Sequence, residues 1–214
     1  EMLRSLVGSE MCIRDRNWAS MFMGAGPEVH GYTEWGSRTP ELPSRVIVKN
    51  NIFPTIFQIY RDANPKAEIG VLSEWAGIQF LVDTLSTDYH AVAPDYNKFP
   101  TALCEMAEKY IKENKPSLVA ICFDNPDHVG HKEGHDTPAY YSKLEELDGY
   151  IARIVAAVKE AGMYDDTIFI ITSDHGGIKK GHGGKTMAEM QTPFIIAGKT
   201  VSYTHLRAHE TPEH

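Results

Sequence analysis

An aspartate–histidine pair follows an apolar segment in the second half of the chain. The segment runs from Ile168 to Thr172 and is followed, one residue later, by Asp174 and His175. A short continuous apolar run predicts a strand that is buried on both faces. Open α/β sheets bind their ligands at the carboxyl ends of their strands, and carboxylate and imidazole groups are good zinc ligands. The pair is therefore a candidate metal site, although an aspartate that only caps the next turn fits the same residues.

Two further groups of aspartates and histidines strengthen the metal hypothesis. A second apolar run, Leu118–Phe123, leads into the segment 124–135, which contains two aspartates and three histidines. In that segment Asp127 and His131 are four residues apart, a spacing that places both side chains on one side of a helical turn. A third group, Gly181-His182-Gly183, lies just downstream of the first pair. Coincidence is a poor explanation for three such groups at or close behind strand ends.

The order and spacing of these groups resemble the metal motifs of the alkaline phosphatase superfamily, and within it the type I phosphodiesterase/nucleotide pyrophosphatase group. The resemblance extends over roughly residues 17 to 199, and it includes Leu147–Tyr150 and the glycines, proline and histidine of the segment 24–31. The motifs that carry it are Pro126-Asp127-x-x-Gly130-His131-Lys132-x-Gly134, Ser173-Asp174-His175-Gly176 and Gly181-His182-Gly183.

The resemblance implies a three-layer α/β/α sandwich with a mainly parallel sheet, and a site for two divalent ions, zinc or manganese. It assigns Asp127, His131 and His182 to one ion, and Asp174 and His175 to the other. Two such ions suit the hydrolysis of phosphoric or sulfuric esters, because one activates the nucleophile while the other stabilises the leaving oxygen. The expected substrate is a small phosphate or sulfate ester.

The Thr or Ser nucleophile of the family has no match in this sequence. The spacing of the segment 24–31 places the nucleophile at Arg14, and the nearest hydroxyl, Ser20, lies six residues further on. One aspartate ligand of the second ion also has no counterpart that can be placed. We therefore expect hydrolase activity in a longer parent protein and little activity in the chain as written. An asparagine that binds phosphate in the nucleotide branch falls on Trp35, which argues against nucleotide diesters.

Two other functions fit the same residues. A phosphomutase of the same superfamily would move phosphate within a sugar, and a non-catalytic domain would bind a metal ion or phosphate without turnover. Observing isomerisation or hydrolysis would separate the two enzymes, and a hydroxyl residue at position 14 of the natural protein would favour catalysis.

Several polar residues beside the motifs lie off the positions that the family uses for metal ligands. We expect His128, His135, Asp124 and Asp136 to lie behind the ligands or on the surface. The segment Gly184-Lys185-Thr186 lacks the earlier glycine and the preceding strand of a phosphate-binding P-loop, so that function is rejected.

Composition sets further limits. A chain of 214 residues with 42% hydrophobic and 23% charged residues is typical of one globular domain. The net charge of −8 argues against a nucleic-acid backbone as partner, and the sequence has no apolar run long enough to span a bilayer. Three cysteines without a CxxC pair argue against a disulfide framework, and this cysteine usage favours the cytoplasm. No other feature of the sequence indicates a compartment.

The two ends differ from the rest of the chain. They have no apolar period or capping pattern, and they resemble translated sequencing-adapter sequence. We therefore expect residues 1–16 and 200–214 to be spurious or disordered tails around a partial catalytic domain, 17–199. The apolar tail residues expected to stay outside the core of Ile170 are Leu3, Leu6, Ile13 and Leu206.

Strands that alternate with helices predict a parallel sheet with helices on both faces. Thr101 and Thr137 are predicted N-caps, and Gly162 is predicted to end the longest helix. The predicted strands are 46–48, 67–72, 90–93, 118–123, 167–172 and 193–197. The predicted helices are 18–23, 53–61, 75–81, 101–113 and 137–161.

Overall fold

A computed structural model describes residues 14–34, 36–47 and 51–198, with side chains described from residue 17 onward. Seven α-helices and five strands are described in these ranges, together with the short 3₁₀ helices Ala76–Phe80 and Tyr164–Asp166. The helices are α1 (Arg14–Met23), α2 (Pro27–His30), α3 (Ile56–Ala63), α4 (Ala102–Asn114), α5 (Asp127–Glu133), α6 (Pro138–Glu160) and α7 (Met187–Met190). The strands are β1 (Ile69–Ser73), β2 (Tyr89–Val92), β3 (Leu118–Cys122), β4 (Phe169–Thr172) and β5 (Phe194–Ala197).

Strand β1 is the centre of a three-stranded parallel sheet with the order β2-β1-β3. Its two faces are covered by different helices. Val71 lies in one apolar cluster with Phe57 of α3, while Leu72 lies in a second cluster with Leu103 of α4, against which Ile154 of α6 packs. Successive residues of a strand point to opposite faces, so these contacts place helices on both sides of the sheet. The predicted α/β/α layering is confirmed.

Strands β4 and β5 form a separate antiparallel pair, in which Phe169 lies opposite Ala197. The prediction that the run 168–172 is buried on both faces was wrong. Ile168 and Ile170 are 57% and 60% exposed, whereas Phe169 packs against the cluster that contains Ile111 of α4. In the described part of the chain, helices pack against Phe169 of this pair, but all four residues of β5 are exposed, so apolar residues on both faces of that strand remain in contact with solvent.

The boundaries of two helices reflect their caps. The Thr137 hydroxyl accepts a hydrogen bond from the backbone N–H of Tyr140 (3.3 Å), with Pro138 in the first turn, as predicted for the long helix α6. The predicted start of α3 at residue 53 was too early. Thr55 caps α3 by accepting from the Gln58 N–H at 3.2 Å, so Pro54 precedes the cap.

Two other local predictions need correction. Val46 and Ile47 are not in a strand and are 50% and 60% exposed, so they lack the burial that favours β-branched residues in strands; Val48 lies outside the described residues. Thr101 occupies the N-cap position of α4, but its hydroxyl donates to the Glu105 carboxylate (2.7 Å) and does not cap the backbone. The segment predicted as a helix at 75–81 forms a 3₁₀ helix.

The packing predicted for Leu3, Leu6, Ile13 and Leu206 concerns residues outside the described ranges. Helix α1 begins at Arg14, so it includes the last three residues of the segment 1–16. Within residues 14–34, 36–47 and 51–198, no helix combines the length and apolar character needed to cross a bilayer.

Candidate metal centre

The first three candidate ligands come from two separate parts of the chain. Asp127 is the first residue of α5, and His131 lies one turn later on the same helix, with its Nε2 atom 3.4 Å from Asp127 Oδ2. His182 approaches from the loop after β4, and its Nε2 atom is 3.6 Å from Asp127 Oδ1 and 3.1 Å from His131 Nε2. The segments that follow β3 and β4 thus bring these three candidate ligands close together.

The spacing of these donor atoms fits a shared ion. One donor atom from each of Asp127, His131 and His182 lies within 4.8 Å of the other two. Zinc binds imidazole nitrogen and carboxylate oxygen at about 2.0–2.2 Å, so two ligands of one tetrahedral ion lie roughly 3.4 Å apart. The two imidazole nitrogens are 3.1 Å apart, and His131 is 3.4 Å from Asp127 Oδ2, whereas the 3.6 Å distance of His182 is to the other carboxylate oxygen, Oδ1.

The second pair, Asp174 and His175, lies directly beside the first set. His175 Nε2 is 3.4 Å from Asp174 Oδ2, and the His175 ring stacks on the His182 ring with 3.8 Å between centroids. His175 Nε2 is buried and has no hydrogen-bond partner among the described residues. A buried nitrogen without a partner is costly, and a metal ion would satisfy its lone pair. The residues present therefore fit a divalent ion here as well.

Backbone carbonyls set the orientation of the imidazole rings. His131 Nδ1 lies 3.0 Å from the Lys180 carbonyl, and His175 Nδ1 lies 2.8 Å from the Gly176 carbonyl. Because a carbonyl only accepts, each Nδ1 carries the proton in a neutral ring, and each Nε2 keeps the lone pair that a metal needs. Sequence reasoning missed this function of Lys180, since every residue type has the same backbone carbonyl.

The loop that carries His182 is held by Glu189. Its carboxylate accepts hydrogen bonds from the Thr186 hydroxyl (2.6 Å) and the Gly184 N–H (2.9 Å), and these bonds lower the pKa of Glu189. Thr186 and Glu189 also form a capping box at the start of α7. The segment 184–186 thus has a structural role, which agrees with the rejection of a P-loop. The pattern Thr-x-x-Glu was a sequence signal for this cap that the prediction did not use.

Helix α1 reaches the same end of the sheet. The side-chain amide of Asn17 donates to the backbone carbonyl of Asp174 at 2.7 Å. Residues three apart lie on the same face of a helix. Position 14, the first residue of α1, therefore lies on the helix face that is anchored at Asp174; the side chain of Arg14 is outside the described part.

Ser20, the other hydroxyl considered as a nucleophile, has a structural partner. Its Oγ atom is 3.1 Å from His30 Nε2, while the Tyr32 N–H donates to His30 Nδ1 at 3.1 Å. Because Nδ1 accepts a hydrogen bond, the ring proton is on Nε2, which donates a hydrogen bond to Ser20 Oγ. Burial lowers the pKa of His30 to about 4, so the ring is neutral. His30 consequently cannot take a proton from Ser20 in this geometry.

Three polar residues beside the candidate ligands, His128, Asp124 and Asp136, have aromatic partners. The His128 ring contacts Tyr96 edge-on with 5.2 Å between centroids, and the Tyr96 hydroxyl donates to Asp124 at 2.7 Å. The exposed Asp136 accepts from the Tyr141 hydroxyl. His128 and Tyr96 line a cavity of about 80 Å³.

Two groups near the site have pKa values that burial raises. Burial, reinforced by the Asp174 carboxylate, raises the pKa of the Cys122 thiol to about 12, so it is neither a thiolate ligand nor a nucleophile. Cys104 and Cys122 are both free thiols. Glu74 lines the small cavity, and burial raises its pKa to about 7.

Comparisons with known proteins give one matching family model and several similar sequences. The family model for type I phosphodiesterase/nucleotide pyrophosphatase matches residues 14–192. The chain is 26% identical over 130 residues to GPI ethanolamine phosphate transferase 3 of Schizosaccharomyces pombe, which covers 60% of the chain and 14% of the relative. It is 30% identical over 104 residues to bis(5'-adenosyl)-triphosphatase enpp4 of Mus musculus, which covers 48% of the chain and 23% of the relative.

Solved structures support the fold. A 2-O GAG sulfatase aligns with a TM-score of 0.64 at 15% identity, over 90% of this chain and 55% of that one. Murine ectonucleotide pyrophosphatase/phosphodiesterase 5, determined with AMP, aligns with a TM-score of 0.53 at 19% identity, over 75% of this chain and 45% of that one. The fold is alkaline phosphatase-like. The chain spans about half the length of these structures and less than a quarter of the two curated relatives.

Proposed function

Because the chain belongs to the type I phosphodiesterase/nucleotide pyrophosphatase family, we propose that it carries the metal centre of an enzyme that cleaves small phosphoric esters. The observation that supports this most is the convergence of Asp127, His131 and His182, with donor atoms at the spacing of ligands on one ion. Asp174 and His175 would contribute to a second ion next to it. Imidazole and carboxylate ligands favour zinc, with manganese as the alternative.

The bound ions would place positive charge beside the transferred group and the leaving oxygen. The protein residues would hold the candidate ligands and helix α1 in fixed positions around the ions. The carbonyls that hold His131 and His175 keep their Nε2 lone pairs directed at the site, and Asn17 ties α1 to the segment of Asp174. This rigid arrangement is needed because small errors in ligand position reduce both affinity and rate.

Position 14 is the proposed place of the nucleophile. A Thr or Ser there would lose its hydroxyl proton to solvent as its oxygen attacks phosphorus, and the bond from phosphorus to the leaving oxygen would break as that oxygen takes a proton from solvent. The oxygen of a water molecule would then attack phosphorus and break its bond to the Thr or Ser oxygen, which regains a proton while the phosphoryl product leaves. Arg14 has no hydroxyl, so we propose that the chain as written turns over ester at background level. Ser20 does not replace this hydroxyl, since Ser20 Oγ accepts a hydrogen bond from His30 and has no base there to remove its own proton.

The relatives leave the acceptor of the phosphoryl group open. One is a triphosphatase, which uses water, and another is an ethanolamine phosphate transferase. We propose hydrolysis as the reaction, with transfer to an alcohol as the second candidate, because the same covalent step serves both. A non-catalytic domain is a further outcome that the experiment below distinguishes. A phosphomutase would be recognised separately, by isomerisation of a sugar phosphate without release of phosphate.

The test compares Arg14→Thr with the unchanged chain and with Arg14→Ala, each saturated with zinc or manganese. The substrates are p-nitrophenyl phosphate, bis-p-nitrophenyl phosphate and p-nitrophenyl sulfate, and chelated protein is the control. We expect metal-dependent nitrophenol release from Arg14→Thr alone, and an increase in its intact mass by one phosphoryl group. Equal rates for Arg14→Thr and Arg14→Ala with the metal bound would refute the proposed nucleophile position. Metal binding without turnover of any of the esters would favour a binding domain.

A further inference from the structure

A tight turn carries His182 into the candidate centre. Ile178 and Gly181 pair through two backbone hydrogen bonds of 2.9 and 3.0 Å, so the turn 178–181 reverses the chain directly before His182. Lys179, inside the turn, has a φ of 53°, in the left-handed region that residues with a side chain rarely adopt. Such a conformation costs free energy and persists only where the surrounding structure holds it. The turn therefore depends on contacts outside itself.

Helix α5 and His135, two residues beyond its end, supply these contacts. The Lys180 carbonyl lies 3.0 Å from His131 Nδ1, and the Lys180 ammonium group donates to the Lys132 carbonyl at 2.7 Å. The Lys179 carbonyl accepts from the backbone N–H of His135 at 2.6 Å, and His135 Nδ1 lies 3.1 Å from the same oxygen. Since a carbonyl only accepts, His135 Nδ1 carries a proton and donates the second hydrogen bond. One residue thus uses both lone pairs of the Lys179 carbonyl.

The His135 ring fits tightly between α5 and the segment before the turn. Its side chain is only 7% exposed. A Cβ atom on Gly130 of α5 would lie 2.4 Å from the ring, and one on Gly177, directly before the turn, would lie 2.1 Å from it. Tyr140 contacts the ring from α6, with 5.2 Å between centroids. The packing therefore holds His135 Nδ1 at the Lys179 carbonyl.

His135 does not belong to the group of described residues whose donor atoms lie close enough together to share an ion. That group is Asp127, His131 and His182. His135 Nε2 lies 3.8 Å from Asp127 Oδ1, beyond hydrogen-bond distance, so its connection to the centre runs through the backbone of the turn. Lys180, the next residue after Lys179, orients the His131 ring through its carbonyl, and the turn leads directly into His182. A shift of the Lys179 carbonyl would therefore displace two candidate ligands together.

We propose that His135 is a positioning residue of the metal centre. Through its hydrogen bond to the Lys179 carbonyl, it holds the turn 178–181 against α5, so that His182 and the Lys180 carbonyl are in place before an ion binds. This inference rests on the metal centre of the proposed function and deepens it. Groups that orient metal ligands change metal affinity when they are removed, although they do not touch the ion themselves.

The test compares His135→Asn with His135→Leu. The Asn amide keeps an N–H donor that can reach the Lys179 carbonyl, whereas Leu fills a similar volume without a donor. The matched control is His128→Leu, because His128 lies in the same segment but its ring contacts Tyr96. Two quantities are measured, namely hydrogen exchange of the Gly181 amide in chelator-treated protein and cobalt(II) affinity by competition with a chelator.

We expect His135→Leu to exchange the Gly181 amide faster and to weaken cobalt affinity by about 10-fold, the lower end of the loss for groups that orient metal ligands. His135→Asn should stay close to the unaltered chain in both measurements, because it keeps the donor. The Gln191 amide, which donates to the Met187 carbonyl at 2.8 Å, should exchange alike in all variants and shows that the change is local. His128→Leu should leave both quantities unchanged.

Unchanged Gly181 exchange in His135→Leu would overturn the inference, and so would equal losses of cobalt affinity in His135→Asn and His135→Leu, since the donor would then have no effect. Absence of cobalt binding by the unaltered chain would refute the metal centre, whereas exchange in the metal-free protein tests the turn by itself, so the two failures are distinguishable.

Circular dichroism of the metal-free variants checks their folding. If His135→Leu does not fold, Gly177→Ala takes its place, because it keeps the imidazole but displaces the ring from the Lys179 carbonyl. It should also speed exchange of the Gly181 amide, and unchanged exchange in that variant would overturn the inference as well.

Discussion

Three histidines of the candidate centre share one structural device at the level of single residues. His131, His135 and His175 each have Nδ1 bonded to a backbone carbonyl, which fixes the orientation of the ring. The carbonyls belong to Gly176, Lys179 and Lys180, whose side-chain types carry no information about this role. The candidate ligands could therefore be proposed from the sequence, whereas the groups that orient their rings become known only from the backbone path.

Glu74 gives a pH-dependent prediction. Burial raises its folded-state pKa from 4.5 to about 7, so its contribution to stability is fully present below about pH 4.5 and is lost as the pH rises through 7. The Glu74 carboxylate accepts the Asp124 N–H at 2.7 Å, and a Gln side chain could still accept that bond. We expect Glu74→Gln to match the unaltered chain at pH 4.5 and to exceed its free energy of unfolding by on the order of 1–3 kcal/mol at pH 8.

Urea unfolding at several pH values, in the presence of chelator, measures this difference. Glu113→Gln, at an exposed position of α4, is the matched control for the Glu-to-Gln substitution itself. A difference between Glu74→Gln and the unaltered chain that stays constant from pH 4.5 to 8 would show that ionisation of Glu74 does not limit stability.

At the level of elements, the cap of α6 is a second prediction. The Thr137 hydroxyl accepts from the Tyr140 N–H and donates to the Gly134 carbonyl at 2.7 Å. Thr137→Ala removes both bonds, and we expect the free energy of unfolding to fall by about 1 kcal/mol. Thr137→Ser retains the hydroxyl and should lose little. Equal urea midpoints for the Ala variant and the unaltered chain would contradict the capping role.

A substitution at Gly149 is expected to increase the stability of the protein. It lies inside α6, and an added Cβ would meet no atom within 4 Å. Because alanine is favoured over glycine in a helix interior, Gly149→Ala should raise the free energy of unfolding by about 0.5–1 kcal/mol. Gly31 is the contrasting position, with φ of 90° and a Cβ that would lie 2.1 Å from the Leu42 carbonyl oxygen. Gly31→Ala should therefore destabilise, and urea unfolding of both variants tests the contrast.

The elements differ in how well the sequence predicted them. The helices 101–113 and 137–161 were found within one residue at each end, because their apolar periods are long and their caps are local. The burial of the run 168–172 was mispredicted, since an apolar run does not reveal whether a second layer covers it. Similarly, Val46 and Ile47 have strand propensity, but exposure decides their conformation. The residue pattern of a single segment does not show which distant parts of the chain will pack against it.

At the level of the whole molecule, the fold brings three ordered motifs to one end of the sheets. Asp127 and His131 come after β3, while Asp174, His175 and His182 come after β4. The order of the motifs predicted this convergence, and their glycines could have indicated more. Gly130 and Gly177 make room for His135, which the family motif alone left unassigned.

The central claim is that Asp127, His131 and His182 bind a divalent ion. The most direct test is equilibrium dialysis of the chelator-treated chain against zinc, followed by metal analysis of the protein. The account predicts one tightly bound zinc per chain, lost in Asp127→Ala and retained in His175→Ala, with any second zinc weak because only Asp174 and His175 are assigned to it. No tight zinc in the unaltered chain, or the same tight zinc in Asp127→Ala, would contradict it.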